Sequence, residues 1–524
     1  MTNAMRWMIT ASLLLSFGCA EVGDTSAKPD ASSRGTGGSG GPSATGGGLG
    51  NGGASASGGS SATGGSSGKG GTLGSGGSSA SGGQSGSGGS GGSSASGGSA
   101  GSGGSSATGG TMGTADAGDA RGADAQKSDS APFSDAGGCS TATSAQAPSG
   151  ATPLRAIGGF VTRNGSSLVL CGQPFQVLGA NLYYLQSYSV YEAGNLRTVA
   201  DGLDDAVRMS LPVVRTWAFN NVAGGDSSVI ETAPGQYSET ALVGLDTTVA
   251  EAKKRGIRLI LTLTNYWKDY GGLPQYATWA GASSADAFYT NTTMQGYFKD
   301  YATMLSNRTN TVTGVAYKDE PAILAWKIAN ELRCPTCADS SAMLATVDAM
   351  SKFLKSLFPN QLIADGGEGM DDTPGNWGTL SNTYPISGYE RESYTGMVKL
   401  SALDMVSYHY YPVDWGLAAT PTTTVNSDAQ VWIDGHAALA GAAGKVDYWG
   451  EFGYQRGASD ATRAPLYDDW LSTFFGTTDN GPLAMFWQLV PASRGADDGF
   501  ACILGRDTAT VAVFEKYSQP LAPR

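Results

Sequence analysis

Histidine is nearly absent from this chain. There are two, His409 and His436, in 524 residues. Neither sits in an H-x-x-x-H or E-x-x-H pattern, which removes the usual ligand sets for catalytic zinc, and no metal site is expected. His436 falls in a helical pattern and is expected to be a surface or core residue. Cysteine is scarce as well: of six, Cys334 and Cys337 form one C-x-x-C, and no second pair completes a zinc ribbon. Positive charge is in deficit, 32 Lys and Arg against 45 Asp and Glu, for a formal charge of −13. Nucleic acid and anionic lipid surfaces are therefore poor partners, while a neutral polymer is compatible. No Gly-Lys-Ser/Thr follows the Gly-rich tract, so a phosphate-cradling loop is missing and no cofactor is expected.

The chain also lacks a long apolar run. The longest near the N-terminus, Trp7 to Phe17, falls short of the ~20 residues that span a bilayer. With Arg6 before it and Gly18-Cys19 after it, residues 1–19 read as an export signal. Cys19 would be the lipid-modified residue of a lipoprotein, although Ser16-Phe17-Gly18 fits that pattern only loosely and ordinary signal cleavage is the alternative. Residues 20–150 are dominated by Gly, Ser, Ala and Thr, with too few apolar side chains to offset the entropy of ordering. They are expected to be a disordered tether, whose reach over 100 residues is roughly 55 Å. Together these features predict a protein that is secreted or tethered to the outer surface of a bacterium, in contact with a membrane only through Cys19. In that oxidising setting a disulfide between Cys334 and Cys337, bracing a loop, is expected rather than a redox or zinc role. Cys139, Cys171 and Cys502 leave one unpaired; a Cys139–Cys171 bridge and a buried Cys502 thiol are both compatible with the sequence.

Residues 151–524 are ordinary globular sequence. Phe160 to Leu170 reads as a hairpin turning at Asn164-Gly165. Eight apolar runs then alternate with helical patterns: Phe175–Asn181, Pro212–Trp217, Ile257–Thr264, Ile323–Asn330, Gln361–Asp365, Asp404–His409, Val446–Glu451 and Leu483–Gln488. The helical patterns cover Leu196–Met209, Ala241–Arg255, Asp286–Ser306, Ala342–Phe358, Asp428–Ala443, Thr462–Phe475 and Ala509–Tyr517. Between the fifth and sixth runs, Asn376–Tyr394 is polar, aromatic and Gly-rich, the composition of a long loop beside a cleft. Strands alternating with helices in this number predict an α/β fold, a (β/α)8 TIM barrel.

Such barrels carry their active sites at the C-terminal ends of the strands. Those ends supply Asn181, Arg215, Trp217, Asn265, Asn330, Glu331, His409, Tyr411, Glu451 and Trp487, polar and aromatic where the strand interiors are apolar. Glu331 ends the fourth run and Glu451 the seventh, on opposite sides of a narrow mouth. Two facing carboxyl groups are what glycoside cleavage needs, one to protonate the leaving oxygen and one to attack, held about 5 Å apart in retaining enzymes. A guanidinium such as Arg215 favours the charged form of a neighbouring carboxylate, as a nucleophile requires.

Four motifs, Asn330-Glu331, His409-Tyr-Tyr411-Pro, Trp449-Gly-Glu451-Phe-Gly and Val214-Arg215-Thr-Trp-Ala-Phe, resemble glycoside hydrolase family 5. The β-mannanase branch, endo-1,4-β-mannosidases, is indicated by Asn164-Gly165, Tyr266-Trp267-Lys-Asp-Tyr-Gly-Gly272, Arg333-Cys334-x-x-Cys337 and Asp498-Gly-Phe500. The resemblance covers roughly residues 157–518. It implies that Glu331 is the general acid/base and Glu451 the nucleophile of a retaining, endo-acting hydrolase working by double displacement on mannan, galactomannan or glucomannan. It further implies that Asn330 bonds the sugar 2-hydroxyl, Arg215 and Tyr411 orient Glu451, His409 lies beside the pair, Trp487 stacks under the sugar, and Arg333 and Trp267 touch substrate. A monomer is expected. The competing expectations are an endo-β-glucanase of the same family, a transferase that intercepts the covalent intermediate with a sugar, and a non-catalytic polysaccharide-binding surface protein. Two positions depart from the family: Leu332 stands where Pro is common, and Lys327 where an acidic or neutral polar residue is common.

Overall fold

Each apolar run becomes a short strand buried along its whole length, as expected for parallel strands covered on both faces. The computed structural model describes residue 139 and residues 144–521, apart from 418–419, 458, 478–481 and 496–497. The expected signal, Cys19 and most of the expected tether lie outside the described residues. The barrel strands are β1 (Val177–Asn181), β2 (Val213–Trp217), β3 (Arg258–Thr262), β4 (Ile323–Lys327), β5 (Leu362–Ala364), β6 (Met405–Tyr410), β7 (Val446–Phe452) and β8 (Leu483–Phe486). They pair in parallel and in sequence order, and β8 closes on β1. The (β/α)8 barrel is thus observed.

Side chains alternate along the strands. Val177, Val213, Leu324, Leu362, Met405, Val446 and Tyr448 point into the barrel and form one cluster with Val161, Leu168, Leu170 and Phe175. The last four come from the hairpin Val161–Asn164/Ser167–Leu170 and the segment after it, so the hairpin closes the N-terminal end. Leu178, Val214, Leu259, Trp326, Val406, Tyr408, Trp449 and Phe486 point outward and pack against the helices.

The helix Glu239–Lys254 illustrates how local signals fix an element. Ser238 caps its N-terminus by accepting from the Ala241 N–H, Glu239 lies in the first turn, and Lys253 and Lys254 in the last. It stops at Gly256, whose φ of +74° and close approach to the Arg155 carbonyl exclude a side chain. The predicted Asp286–Ser306 helix is in fact divided: a 3-10 turn covers Ala285–Tyr289, and Asn291 caps a new helix, Thr292–Asn307, through Thr293 and Met294 N–H groups. Among the described residues three α-helices escaped the sequence pattern, Leu185–Tyr191, Gly272–Ala280 and the single turn Tyr394–Met397. The Asn376–Tyr394 stretch holds only a short 3-10 turn at Tyr384–Ile386 between its ends.

Disulfides join Cys139 to Cys171 and Cys334 to Cys337, and Cys502 is a buried free thiol. Ala145 and Gln146 hydrogen-bond Leu154 and Lys254, so chain before residue 151 is fastened to the barrel. Among the described residues no helix is long and apolar enough to cross a membrane.

Candidate active site

One irregularity places Glu451. In the pairing of β6 with β7, Tyr408 lies opposite Trp449 but His409 lies opposite Glu451, so Gly450 is the extra residue of a bulge. Tyr448 points in and Trp449 out; regular alternation would turn Glu451 away from the barrel. The bulge turns it back beside His409. A Cβ on Gly450 would meet Ser407 Oγ at 2.7 Å and His409 Nε2 at 3.3 Å, so only glycine fits the turn.

Glu451 is then gripped on both oxygens. Arg215 Nη1 donates to Oε1 at 2.5 Å and the Tyr411 hydroxyl donates to Oε2 at 2.6 Å. Burial, with Glu451 next, holds the Tyr411 phenol far above its ordinary pKa, so it remains a donor. Arg215, fully buried, is itself held from four sides: it donates to Asn181 Oδ1 at 2.8 Å, to Thr262 Oγ1 at 3.2 Å and to Asn330 Oδ1, and it lies 4.8 Å over the Trp217 ring. Asn330 in turn donates to Asn265 Oδ1 at 3.3 Å. Six of the expected strand-end residues, Asn181, Arg215, Trp217, Asn265, Asn330 and Tyr411, therefore form one network around a single carboxylate.

Glu331 follows β4 with a left-handed backbone, φ +52°, a conformation that costs a non-glycine residue energy and that clusters at functional sites. Its Oε2 accepts from Trp267 Nε1 at 2.5 Å and its Oε1 lies 2.9 Å from His409 Nδ1. Burial, the largest influence, drives the His409 pKa well below the ordinary value, so the ring is neutral. One oxygen of Glu331, one ring nitrogen of His409 and one oxygen of Glu451 lie within 4.8 Å of one another. Such a trio has the donor types to hold a cation. The Arg215 guanidinium and Lys327 beside it disfavour one there.

Trp487 forms the wall of the mouth. Its ring stacks on Tyr183 with centroids 5.4 Å apart, and its indole N–H donates to Asp498 Oδ2 at 2.8 Å. Asp498 also accepts from Gln488 at 2.7 Å and from the Phe500 and Ala501 backbone, fixing the loop after β8.

Arg333 and Trp267 lie one step behind the carboxylates. The Arg333 guanidinium stacks 4.8 Å over Trp267, donates twice to Glu368 and once to Glu390 at 2.9 Å, and its side chain keeps 14% of its exposure. The Trp267 N–H is committed to Glu331. The geometry brings both beside Glu331, Trp267 by a direct hydrogen bond and Arg333 by stacking on Trp267. The disulfide Cys334–Cys337 and the Cys334 N–H bond to the Glu390 carbonyl, 2.9 Å, hold the same loop. Glu368 and Glu390 were missed from the sequence. The signal for Glu368 was present, because β5 ends in Asp365-Gly-Gly-Glu368, the one polar strand end left off the list. His436 is buried among Trp377, Tyr394, Tyr408 and Trp432, the core alternative for that residue.

A parallel β/α barrel with two facing carboxylates, one just after β4 and one near the end of β7, the latter held by arginine and tyrosine, defines a glycoside hydrolase. Residues 158–478 match the family described as GH family 5 beta-mannosidase-like, and the chain belongs to glycoside hydrolase family 5. It is 32% identical to mannan endo-1,4-beta-mannosidase 7 of Arabidopsis thaliana, over 70% of this chain and 86% of that protein. It is 33% identical to mannan endo-1,4-beta-mannosidase 4 of Oryza sativa subsp. japonica, over 70% of this chain and 82% of that one. The solved endo-1,4-beta-mannanase of Rhizomucor miehei superposes with a TM-score of 0.60 and 31% identity, covering 69% of this chain and 99% of its own.

Proposed function

We propose that the chain is an endo-acting, retaining β-1,4-mannanase that works by double displacement. The observation that carries the retaining mechanism is the closeness of the two carboxylates, with oxygens no more than 4.8 Å apart, which leaves no room for an inverting water between them. The relatives named above support mannan as the glycan.

In the first step a Glu451 oxygen attacks the anomeric carbon while Glu331 gives its proton to the departing glycosidic oxygen. The C–O bond to the leaving sugar breaks, and a glycosyl ester forms on Glu451. In the second step Glu331, now a carboxylate, takes a proton from water; the hydroxide attacks the anomeric carbon and Glu451 leaves. Arg215 and Tyr411 receive the carboxylate back. Asn330, held between Arg215 and Asn265, is placed to meet the 2-hydroxyl, and Trp487 offers its face to the C–H side of the sugar. The export-type N-terminus and the Gly/Ser tract support display of this enzyme at or beyond the cell surface.

The test incubates the protein with unbranched mannan, galactomannan and a soluble cellulose derivative, following reducing ends and viscosity. A fast viscosity drop on the mannans alone is expected. Preference for the cellulose derivative would overturn the glycan assignment and leave the two glutamates in place. A Glu451→Ala protein should lose activity by at least about 10⁴-fold and regain turnover on an aryl β-mannoside with azide, releasing the α-configured glycosyl azide. A β-configured azide product would mean that the covalent intermediate still forms, and would overturn the role of Glu451 as the nucleophile.

A further inference from the structure

Lys327 ends β4, is fully buried, and points into the barrel beneath the two carboxylates. Its ammonium lies 3.5 Å from His409 Nε2 and 5.6 Å above the Tyr448 ring. The backbone makes room for it: a Cβ on Gly366 would lie 2.5 Å from Lys327 Cε, and Gly366 takes a φ of +96° that side chains resist. The opposite nitrogen of the same imidazole, Nδ1, lies 2.9 Å from Glu331 Oε1. The ring thus spans the distance from the lysine to the acid/base.

We propose that Lys327 is a positioning residue whose ammonium donates to His409 Nε2, fixes the ring proton on Nδ1, and so aims that proton at Glu331. An ammonium has donors and no acceptor, so a contact to Nε2 requires the Nε2 lone pair. A neutral ring then carries its hydrogen on Nδ1. The other tautomer would point an Nε2–H between Lys327 and Glu451, whose Oε1 is 3.7 Å away, beyond a hydrogen bond. With Nδ1–H on one oxygen and Trp267 N–H on the other, the Glu331 carboxylate is fixed in rotation, and it is met by donors as it gives up its proton. This role rests on the reading of Glu331 as the acid/base.

The groups facing Lys327 are Arg215 from β2, Asp365 after β5, His409 from β6, Tyr448 and Glu451 from β7, and Glu331. Burial and then Arg215 bring its pKa down to about 7, against the pull of the three carboxylates. As pH rises through that value the ammonium becomes an amine, which accepts as well as donates, and the lock on Nε2 is released.

The composition makes the test direct, because the chain has two histidines. Full-length protein labelled with ¹⁵N-histidine shows two rings by NMR, and His436, with its nitrogens at the Trp432 and Gly369 carbonyls, is the internal control. The wild type should show His409 protonated on Nδ1 at pH 6, with the signature decaying through about pH 7. In Lys327→Met the ring should shift toward the Nε2–H form, without that transition. The kcat on mannan at pH 6 should fall about tenfold, with KM within about twofold, since the residue touches no substrate and a charged-group hydrogen bond is affected indirectly. An Nε2–H ring in the wild type overturns the proposal. So does an unchanged tautomer in the variant, whatever its activity, or a changed tautomer with full kcat. A wild type that is silent on mannan sinks the mannanase reading alone, since the NMR measurement decides the tautomer without turnover.

Discussion

Lys327→Met should make the protein more stable, and by an amount that depends on pH. The residue is fully buried, and among the described residues no carboxylate lies within ion-pair distance of its ammonium. Burial, the largest influence, and Arg215 together lower its pKa from the ordinary 10.5 to about 7. At pH 6 the folded protein therefore binds this proton about 5 kcal/mol less tightly than the unfolded chain does. Because the folded value is the depressed one, this destabilisation is complete below about pH 7, shrinks as pH rises, and vanishes above 10.5. At pH 9 it amounts to about 2 kcal/mol. Methionine has nearly the same length and no charge, so it fills the space without that term. For a domain of roughly 380 residues the unfolding entropy near Tm is about 0.8 kcal/mol per kelvin. The variant should melt about 6 °C above the wild type at pH 6 and about 2–3 °C above it at pH 9. Paired calorimetric scans at the two pH values measure the gap, and taking the difference between variants cancels the other buried groups. A variant that melts lower than the wild type, or a gap that does not narrow with pH, would refute the reasoning, because the charge would then be stabilised by its surroundings instead of strained by them.

Three further outcomes follow from the contacts around the site. Arg333→Met leaves Glu368 and Glu390 buried without their shared cation, and should cost about 3 kcal/mol or more, read as a lowered melting temperature at pH 7. Trp267→Phe keeps the ring under Arg333 but removes the N–H that meets Glu331 at 2.5 Å; kcat should fall about tenfold, and an unchanged kcat would show that this hydrogen bond does not serve the acid/base. Burial pushes the Cys502 thiol well above its ordinary pKa, so iodoacetamide should leave it unlabelled in the native protein and label it in guanidinium, while Cys502→Ala keeps full activity.

The barrel was legible because its strands are buried on both faces, so each reads as an uninterrupted apolar run with a polar end. All eight runs contain an observed strand, and the runs overshoot mainly where a strand gives way to functional backbone, as at Ile328–Asn330. What failed was local. Leu185–Tyr191 begins directly after the first strand end and has no charged face to give it a helical period. Gly272–Ala280 opens with Gly and carries Pro274 in its first turn, the composition of a loop. Asn291 cut a predicted helix because its side chain caps the N–H groups that follow it.

The site divided along the same line. Residues at strand ends inherit their place from the barrel, so Arg215, Asn330, Glu331, His409, Tyr411, Glu451 and Trp487 were expected at its mouth from position alone, and the structure gathers Arg215, Asn330, Tyr411 and Glu451 into one hydrogen-bonded network there with Glu331 and His409 in contact beside it. Residues that support them arrive on loops whose paths no strand dictates: Glu390 reaches Arg333 from 57 positions away, and Asp498 reaches Trp487 from the loop beyond β8. Lys327 belongs to neither group. It was visible as a departure, but a strand pattern treats an inward position near the barrel mouth as core, and core reasoning sees only a charged residue in the wrong place. The barrel explains why the position is chemical. Its inward layers run from the apolar cluster at the hairpin end to the carboxylates at the other, and the last layer before the substrate must contact the groups that react. Lys327 lies in that layer, with Tyr448 below it and His409 beside it. A charge there cannot be neutral in effect: it destabilises the fold, and in return it has one ring nitrogen to bind, that of the histidine which touches Glu331.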